Sequence, residues 1–237
     1  MRAGQARRDS LFAEEIAGCR RCPRLADYCE SFSLPENRKG EWTDYWARPV
    51  PGFGDRNAEL LIIGLAPGAH GANRTGRPFT GDAAGVVLYR ALHAHGFGNR
   101  AEVSARGDGL RLRNVYITNA VKCVPPANRP TTEEKRSCLD WLRREVEQLG
   151  HLRVVLAMGR DAFQAYLSLL KAAGIVRTLS AATFGHGKVH RSPGESRVLL
   201  ASYHFSRYNI NTGRLTETMV DDLFGTVRGL LEGAAER

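Results

Sequence analysis

Five cysteines and a handful of polar residues at strand ends are the groups in this chain with chemistry to offer. Cys19 and Cys22 form a Cys-x-x-Cys pair, Cys123 and Cys138 follow far downstream with 14 residues between them, and Cys29 is the fifth thiol. A zinc finger pairs two close-spaced doublets, and only one doublet is present. Four thiolates would also satisfy a 4Fe-4S cubane, so spacing alone leaves zinc, a cluster and unligated thiols open. A second set begins with Gly-Leu-Ala-Pro-Gly-Ala-His-Gly at 64–71, part of a segment that holds five glycines in 18 residues together with Arg74, Arg77 and Phe79. It lacks the Gly-Lys-Ser/Thr ending of a P-loop and the Gly-x-Gly-x-x-Gly spacing of a dinucleotide site, which argues against ATP and NAD. Glycine and proline at a strand end still let backbone N–H groups approach a ligand closely. Asn119 offers both a donor and an acceptor, with turn capping as its plain alternative. Asp82, just before Ala83-Ala84, suits a helix N-cap as well as a catalytic carboxylate. Among seven histidines, His204 stands out because it follows a strand and precedes Ser206 and Arg207, both suited to phosphate contacts. His70 and His186 are weaker choices.

The elements that must position these groups are legible as apolar runs. Leu60 to Gly64, Val115 to Asn119, Val154 to Met158 and Val198 to Ser202 are continuously apolar, as expected of parallel strands buried on both faces. Helical patterns cover Ala83 to His95, Thr132 to Leu149, Arg160 to Lys171 and Thr216 to Leu231. The order predicts an α/β fold, a three-layer α/β/α sandwich around a central four-stranded parallel sheet with right-handed crossovers. Ligands of such sheets collect beyond the carboxyl ends of the strands, where the 64–82, 119–123 and 203–207 segments all fall. A single domain over 1–237 is expected, with 1–58 as an N-terminal extension packed on the sandwich. The stretch 177–197, rich in Gly, Ser and basic residues, predicts an extended surface connection.

Composition sets the outer bounds. The chain has 237 residues, 43% hydrophobic and 25% charged, which excludes disorder, collagen and coiled coil as whole-chain descriptions. Its longest apolar stretch, near Leu60 to Ala69, is far short of the roughly 20 residues of a membrane span. The N-terminus carries Arg2, Arg7 and Arg8 without a secretory apolar region, so a soluble cytoplasmic protein with reduced thiols is expected, as is a monomer. Net charge is +9 and the isoelectric point about 9.7, which favours polyanionic partners. With 29 arginines against 5 lysines, a merely solvated basic surface is the competing reading.

The run GLAPGAHGANRTGRPFTGDAAG, then ITNAVKCVPPANRP, then SYHFSRYNINTGRLT, resembles the three motif regions of type-B, or family 5, uracil-DNA glycosylases. The match in order, spacing and flanking cysteines runs over nearly the whole chain. The resemblance implies a uracil-DNA glycosylase-like fold and a monofunctional glycosylase that flips uracil and other deaminated bases out of DNA and excises them. It further implies a 4Fe-4S cluster on Cys19, Cys22, Cys123 and Cys138, with Cys29 free. By the same resemblance Phe79 stacks on the base, Asn119 reads its edge, and Ala66 and Gly68 line the base site. His204 donates to the departing base, while Asp82 orients water or stabilises the sugar cation. Arg74, Arg77, Ser206 and Arg207 are the expected DNA contacts. Phe205 departs from the pattern, which usually has Pro there. In the first motif Leu65-Ala66-Pro67-Gly68 offers no water-positioning side chain. Gly68 stands where strict uracil enzymes of the superfamily carry a blocking tyrosine. The main rival is a non-catalytic, basic, nucleic-acid-binding iron-sulfur protein. A cluster-dependent redox enzyme is a further one, without a flavin or nicotinamide motif to support it.

Overall fold

The computed structural model describes residues 3–40 and 42–233; Arg2, counted above in the basic N-terminus, lies outside them. Helices α1 (Ala3–Ala17) and α2 (Pro23–Ser31) precede β1 (Phe53–Gly54) and β2 (Leu60–Gly64). Next come α3 (Ala72–Thr75), α4 (Ala83–Ala94), β3 (Val115–Asn119), α5 (Thr132–Glu147), β4 (Val154–Met158) and α6 (Arg160–Ala172). The chain closes with β5 (Val189–Arg191), β6 (Val198–Ser202), α7 (Arg207–Asn211) and α8 (Glu217–Glu232).

The sheet has six strands in the order β1-β3-β2-β4-β6-β5. Its four central strands are parallel and are the four runs expected from the sequence. Two further strands extend this central parallel sheet at its edges, where β1 runs antiparallel to β3 and β5 antiparallel to β6. These edge strands span two and three residues and are only partly buried, too short and too polar to leave a signature.

All five residues of each central strand are buried, and the two-residue period reappears in which layer each one joins. Leu60 and Ile62 pack with Leu88, Tyr89, Leu223 and Phe224 of α4 and α8. Leu61 and Ile63 pack with Leu142, Phe163 and Tyr166 of α5 and α6. A third core joins Phe12, Ile16, Leu25 and Phe32 of the N-terminal extension to Val121, Cys123, Cys138 and Trp141. Helix α5 starts on a capping box between Thr131 and Glu134, and Arg24 of α2 grips the same Glu134 through two 2.8 Å hydrogen bonds. The extension is thereby tied to the helix that carries Cys138.

One charged pair sits inside this packing. Lys122 Nζ lies 2.5 Å from Glu145 Oε2 and donates at 2.7 Å to both Thr118 Oγ1 and the carbonyl of Asn119. Glu145 also accepts from Thr118 Oγ1 and from the Gly52 amide. Lys122→Ala would strand a buried carboxylate, and we expect a loss of about 3–5 kcal/mol in urea unfolding. The double change Lys122→Met with Glu145→Leu should cost clearly less; equal losses would show that the pair itself is not what matters.

Candidate active site

Three loops at the carboxyl ends of β2, β3 and β6 enclose a pocket of about 340 Å³ lined by Leu65, Ala66, Gly68, Phe79, Asp82, Asn119, Asn128 and His204, among others. Six residues singled out from the sequence for the base and the chemistry, namely Ala66, Gly68, Phe79, Asp82, Asn119 and His204, are brought together there. The larger groove between α5 and α6, about 600 Å³, is a poorer candidate. Its Lys135 and Asp161 neutralise one another at 2.6 Å.

The Phe79 ring is held in place by neighbours that leave it no alternative. Its backbone adopts φ of +52°, a left-handed conformation that costs a non-glycine residue about 1–2 kcal/mol. Around it, Tyr89 Oη donates to Pro78 O at 2.8 Å and Arg77 Nε donates to Thr80 Oγ1 at 2.9 Å. Burial pushes the Tyr89 phenol up to about 12, so it stays a donor throughout the neutral range. Glycine permits the approach: a Cβ on Gly64 would sit 2.4 Å from Asn119 Oδ1 and 2.5 Å from Phe79 Cζ. A Cβ on Gly85 would fall 1.6 Å from the Phe79 carbonyl oxygen.

Asn119 closes β3 and is 2% exposed. Its carbonyl is engaged by Lys122, whereas its side-chain amide makes no hydrogen bond among the described residues and faces the pocket. Asp82 takes the capping role that its sequence position suggested and also lines the pocket. Oδ1 caps α4 by accepting from the Gly85 amide at 2.9 Å, and Oδ2 points toward the positions a side chain would take on Gly68 and Gly71. The His204 ring lies 6.4 Å from Phe79, centroid to centroid, at a 32° tilt. Burial lowers its pKa below the ordinary histidine value, and the nearby Asp82 carboxylate opposes that shift. Burial thus favours the neutral imidazole. Phe205, the departure from the family pattern, is fully buried in the core beside it.

The four expected DNA contacts divide. Arg207 is exposed at the start of α7, and Arg74 is partly exposed with its Nε donating to His70 O. Ser206 caps α7 by accepting from the Asn209 amide. Arg77 is 3% exposed and forms two hydrogen bonds to Asp108 at 2.9 and 2.6 Å. That pairing holds the Asp108 carboxyl well below the usual range. Arg77 thus fastens the Phe79 loop and presents no charge to a ligand. Asn128 was not among the residues the sequence singled out. It lines the pocket rim with φ of +56°, next to Ala127 at +53°. Two consecutive left-handed residues after Pro125-Pro126 are the turn chemistry that could have flagged it.

The thiols converge on a separate, small pocket. Cys19, Cys22, Cys123 and Cys138 line it with Leu25, Val121 and Trp141. Trp141 Nε1 donates to Cys19 Sγ at 3.2 Å and the Lys122 amide to Cys138 Sγ at 3.3 Å. Arg21 stacks over Trp141 at 4.4 Å. Sulfur donors, N–H groups aimed at sulfur and a nearby cation suit a thiolate-bound cluster. Among the described residues no three His, Cys, Asp or Glu side chains converge as ligands of a single ion; a cubane takes one thiolate per iron, a wider arrangement. Cys29 does not line that pocket; it packs beside Cys123 in the same core and donates to Asn73 Oδ1 at 2.8 Å.

The electrostatics of the pocket yield a direct test. Asp82→Asn retains a good cap but removes the charge facing His204, so the ring pKa, followed by NMR titration, should move still lower. An unchanged or higher value would show that the carboxylate does not act on the ring.

Comparison with known proteins agrees with this geometry. The family model described as "Uracil DNA glycosylase superfamily" matches residues 51–227. The chain is 50% identical over 208 residues to a type-5 uracil-DNA glycosylase of Thermus thermophilus, covering 88% of this chain and 91% of that one. It is 47% identical over 213 residues to the type-5 enzyme of Pyrobaculum aerophilum, covering 90% and 89%. A type-5 relative from Mycobacterium tuberculosis is 44% identical over 216 residues, covering 91% and 79%. Pocket, fold and these similarities lead to one conclusion: the chain belongs to the uracil-DNA glycosylase superfamily, in its type-5 branch.

Proposed function

We propose that this protein is a monofunctional DNA glycosylase of base excision repair that everts uracil and other deaminated bases into the pocket and hydrolyses their N-glycosidic bonds. The convergence of Phe79, Asn119, Asp82 and His204 on one pocket carries this reading. An everted base is held by stacking and by hydrogen bonds to its edge. Phe79 supplies the ring, and the uncommitted Asn119 amide supplies a donor and an acceptor. As the bond breaks, its electron pair leaves with the base. The neutral His204 imidazole donates a hydrogen bond to the base oxygen that gains this charge. Water bonds to the sugar carbon and its proton passes toward Asp82 Oδ2, whose charge also favours the cationic sugar.

The placement of the amines supports release without strand cleavage. A lyase needs an unprotonated amine at the sugar, while Lys122 is buried against Glu145 and, among the described residues, no lysine lines the pocket. The four pocket-lining thiols would hold a 4Fe-4S cluster, a structural group that braces the loop after Asn119 against the N-terminal extension. Five free thiols suit the reducing cytoplasm, and among the described residues no helix is long and apolar enough to cross a membrane.

Breadth of substrate rests on Gly68. Its φ lies outside the left-handed region, and a Cβ there would meet only Asp82 Oδ2, at 3.4 Å. The backbone would accept a side chain, so its absence leaves room for bases larger than uracil.

A panel of oligonucleotides carrying uracil, hypoxanthine or xanthine, treated with enzyme and then alkali, should show breaks at each lesion. No break on any of them would leave the non-catalytic binder as the better account. Asp82→Asn and His204→Ala should each slow single-turnover release about a hundredfold or more. Gly68→Tyr should depress hypoxanthine release more than uracil release, and equal losses would remove the open-pocket argument. A borohydride-trapped enzyme-DNA adduct would contradict the monofunctional assignment.

Cluster binding is tested separately by anaerobic purification with iron and sulfide analysis. Four irons and four sulfides per chain are expected, and Cys123→Ala should lose the brown absorbance and melt earlier, because binding of a structural metal is coupled to folding. A variant that lost the cluster yet kept normal stability would show that it does not brace the fold.

A further inference from the structure

Beside the pocket lies a group of arginines that the reaction does not use. Arg74 stacks on Trp42 with its guanidinium carbon 4.0 Å from the ring centroid. Arg106 and Arg48 both lie over Trp46, at 4.3 and 5.2 Å. The three come from segments far apart in sequence: backbone pairing joins the Arg48 and Arg74 segments, with Trp46 N donating to Arg74 O at 2.8 Å and Ala47 N to Asn73 O at 3.0 Å, and Arg106 reaches them over Trp46. Arg77, a little further in, is neutralised by Asp108. Arg48, Arg74 and Arg106 make no ion pair among the described residues, unlike Arg24, Arg143, Arg144, Arg153 or Arg197. Neighbouring positive charges with no carboxylate between them are unfavourable in the free protein. The Arg106 pKa records this, lowered by burial and then by Arg48 and Arg77.

An arrangement that keeps like charges close and holds each guanidinium over an indole is organised for a polyanion. The patch is continuous with the pocket, because an Arg74 Nη2 lies 2.6 Å from where a Cβ on Gly81 would stand, and Gly81 adjoins Asp82. Trp42 is 43% exposed, so this surface is open to a ligand of large extent.

We infer that Arg48, Arg74 and Arg106, held on Trp42 and Trp46, form a phosphate-tracking surface that grips the DNA strand on the Gly81–Asp82 side of the everted nucleotide. Here Trp42, Trp46, Arg48 and Arg106 act as binding residues, distinct from the catalytic groups. This rests on the glycosylase reading above for the identity of the polyanion.

The test compares wild-type protein, Arg48→Ala/Arg106→Ala, and Arg143→Ala/Arg228→Ala, a control with the same change in net charge on helices α5 and α8. Affinity for an undamaged duplex is measured across a salt series. Each phosphate that the protein no longer neutralises should reduce the slope of log affinity against log salt by about 0.9, so the patch variant should fall by about twice that while the control stays near wild type. Both patch residues are exposed, and unchanged melting verifies the fold. An unchanged slope, or an equal fall in the control, would overturn the proposal. Failure of the wild-type protein to release uracil would instead count against the glycosylase reading, since the salt slopes are read on undamaged DNA.

Discussion

A charged pair in a protein interior is tolerated only when nearly every polar atom of both partners is matched, and Lys122 with Glu145 meets that condition by gathering the surrounding structure. The lysine amine reaches the Thr118 hydroxyl and the Asn119 carbonyl of β3, and the carboxylate of α5 reaches back to Thr118 and to the Gly52 amide before β1. The end of β3, the helix carrying Cys138 and the chain entering the sheet are therefore set relative to one another by one network. Asn119 is oriented from its backbone side, which leaves its amide free toward the pocket. Cys123 follows Lys122 directly, so the thiol site and the pocket share this support.

The pocket depends on close approach as much as on polar matching. The side chains of Phe79 and Asn119 occupy space that any residue larger than glycine at position 64 would take, and Gly85 yields its place to the Phe79 carbonyl. Into that crowded corner the chain inserts a left-handed phenylalanine, a conformation sustained by Tyr89, Thr80 and the Arg77–Asp108 pair around it. Local strain of this kind persists only where the surroundings over-determine it, and here it aims an aromatic face at the same space as His204 and Asp82.

Arginine is put to contrasting uses within a short distance. Arg77 and Arg24 are locked to carboxylates and act as fasteners, one for the Phe79 loop and one for the start of α5. Arg48, Arg74 and Arg106 lie on indole rings with no carboxylate partner among the described residues. The net charge of +9 is thus not spread evenly in its availability, and the unneutralised part includes the rim of the pocket.

By itself the sequence determined the four central strands, because residues buried on both faces must be apolar without interruption, and it placed Phe79, Asp82, Asn119 and His204 at strand ends where such sheets bind ligands. Those properties are encoded within a few neighbouring residues. Only the tertiary structure decided the partners of charges: that Arg77 faces Asp108, 31 residues away, and that Lys122 turns inward to Glu145 instead of outward to a phosphate. It also decided that Asp82 serves as cap with one oxygen and faces the pocket with the other, that Asn128 reaches the rim, and that two short edge strands complete the sheet. A charged side chain's role depends on which distant loop arrives beside it, and local pattern holds no record of that meeting.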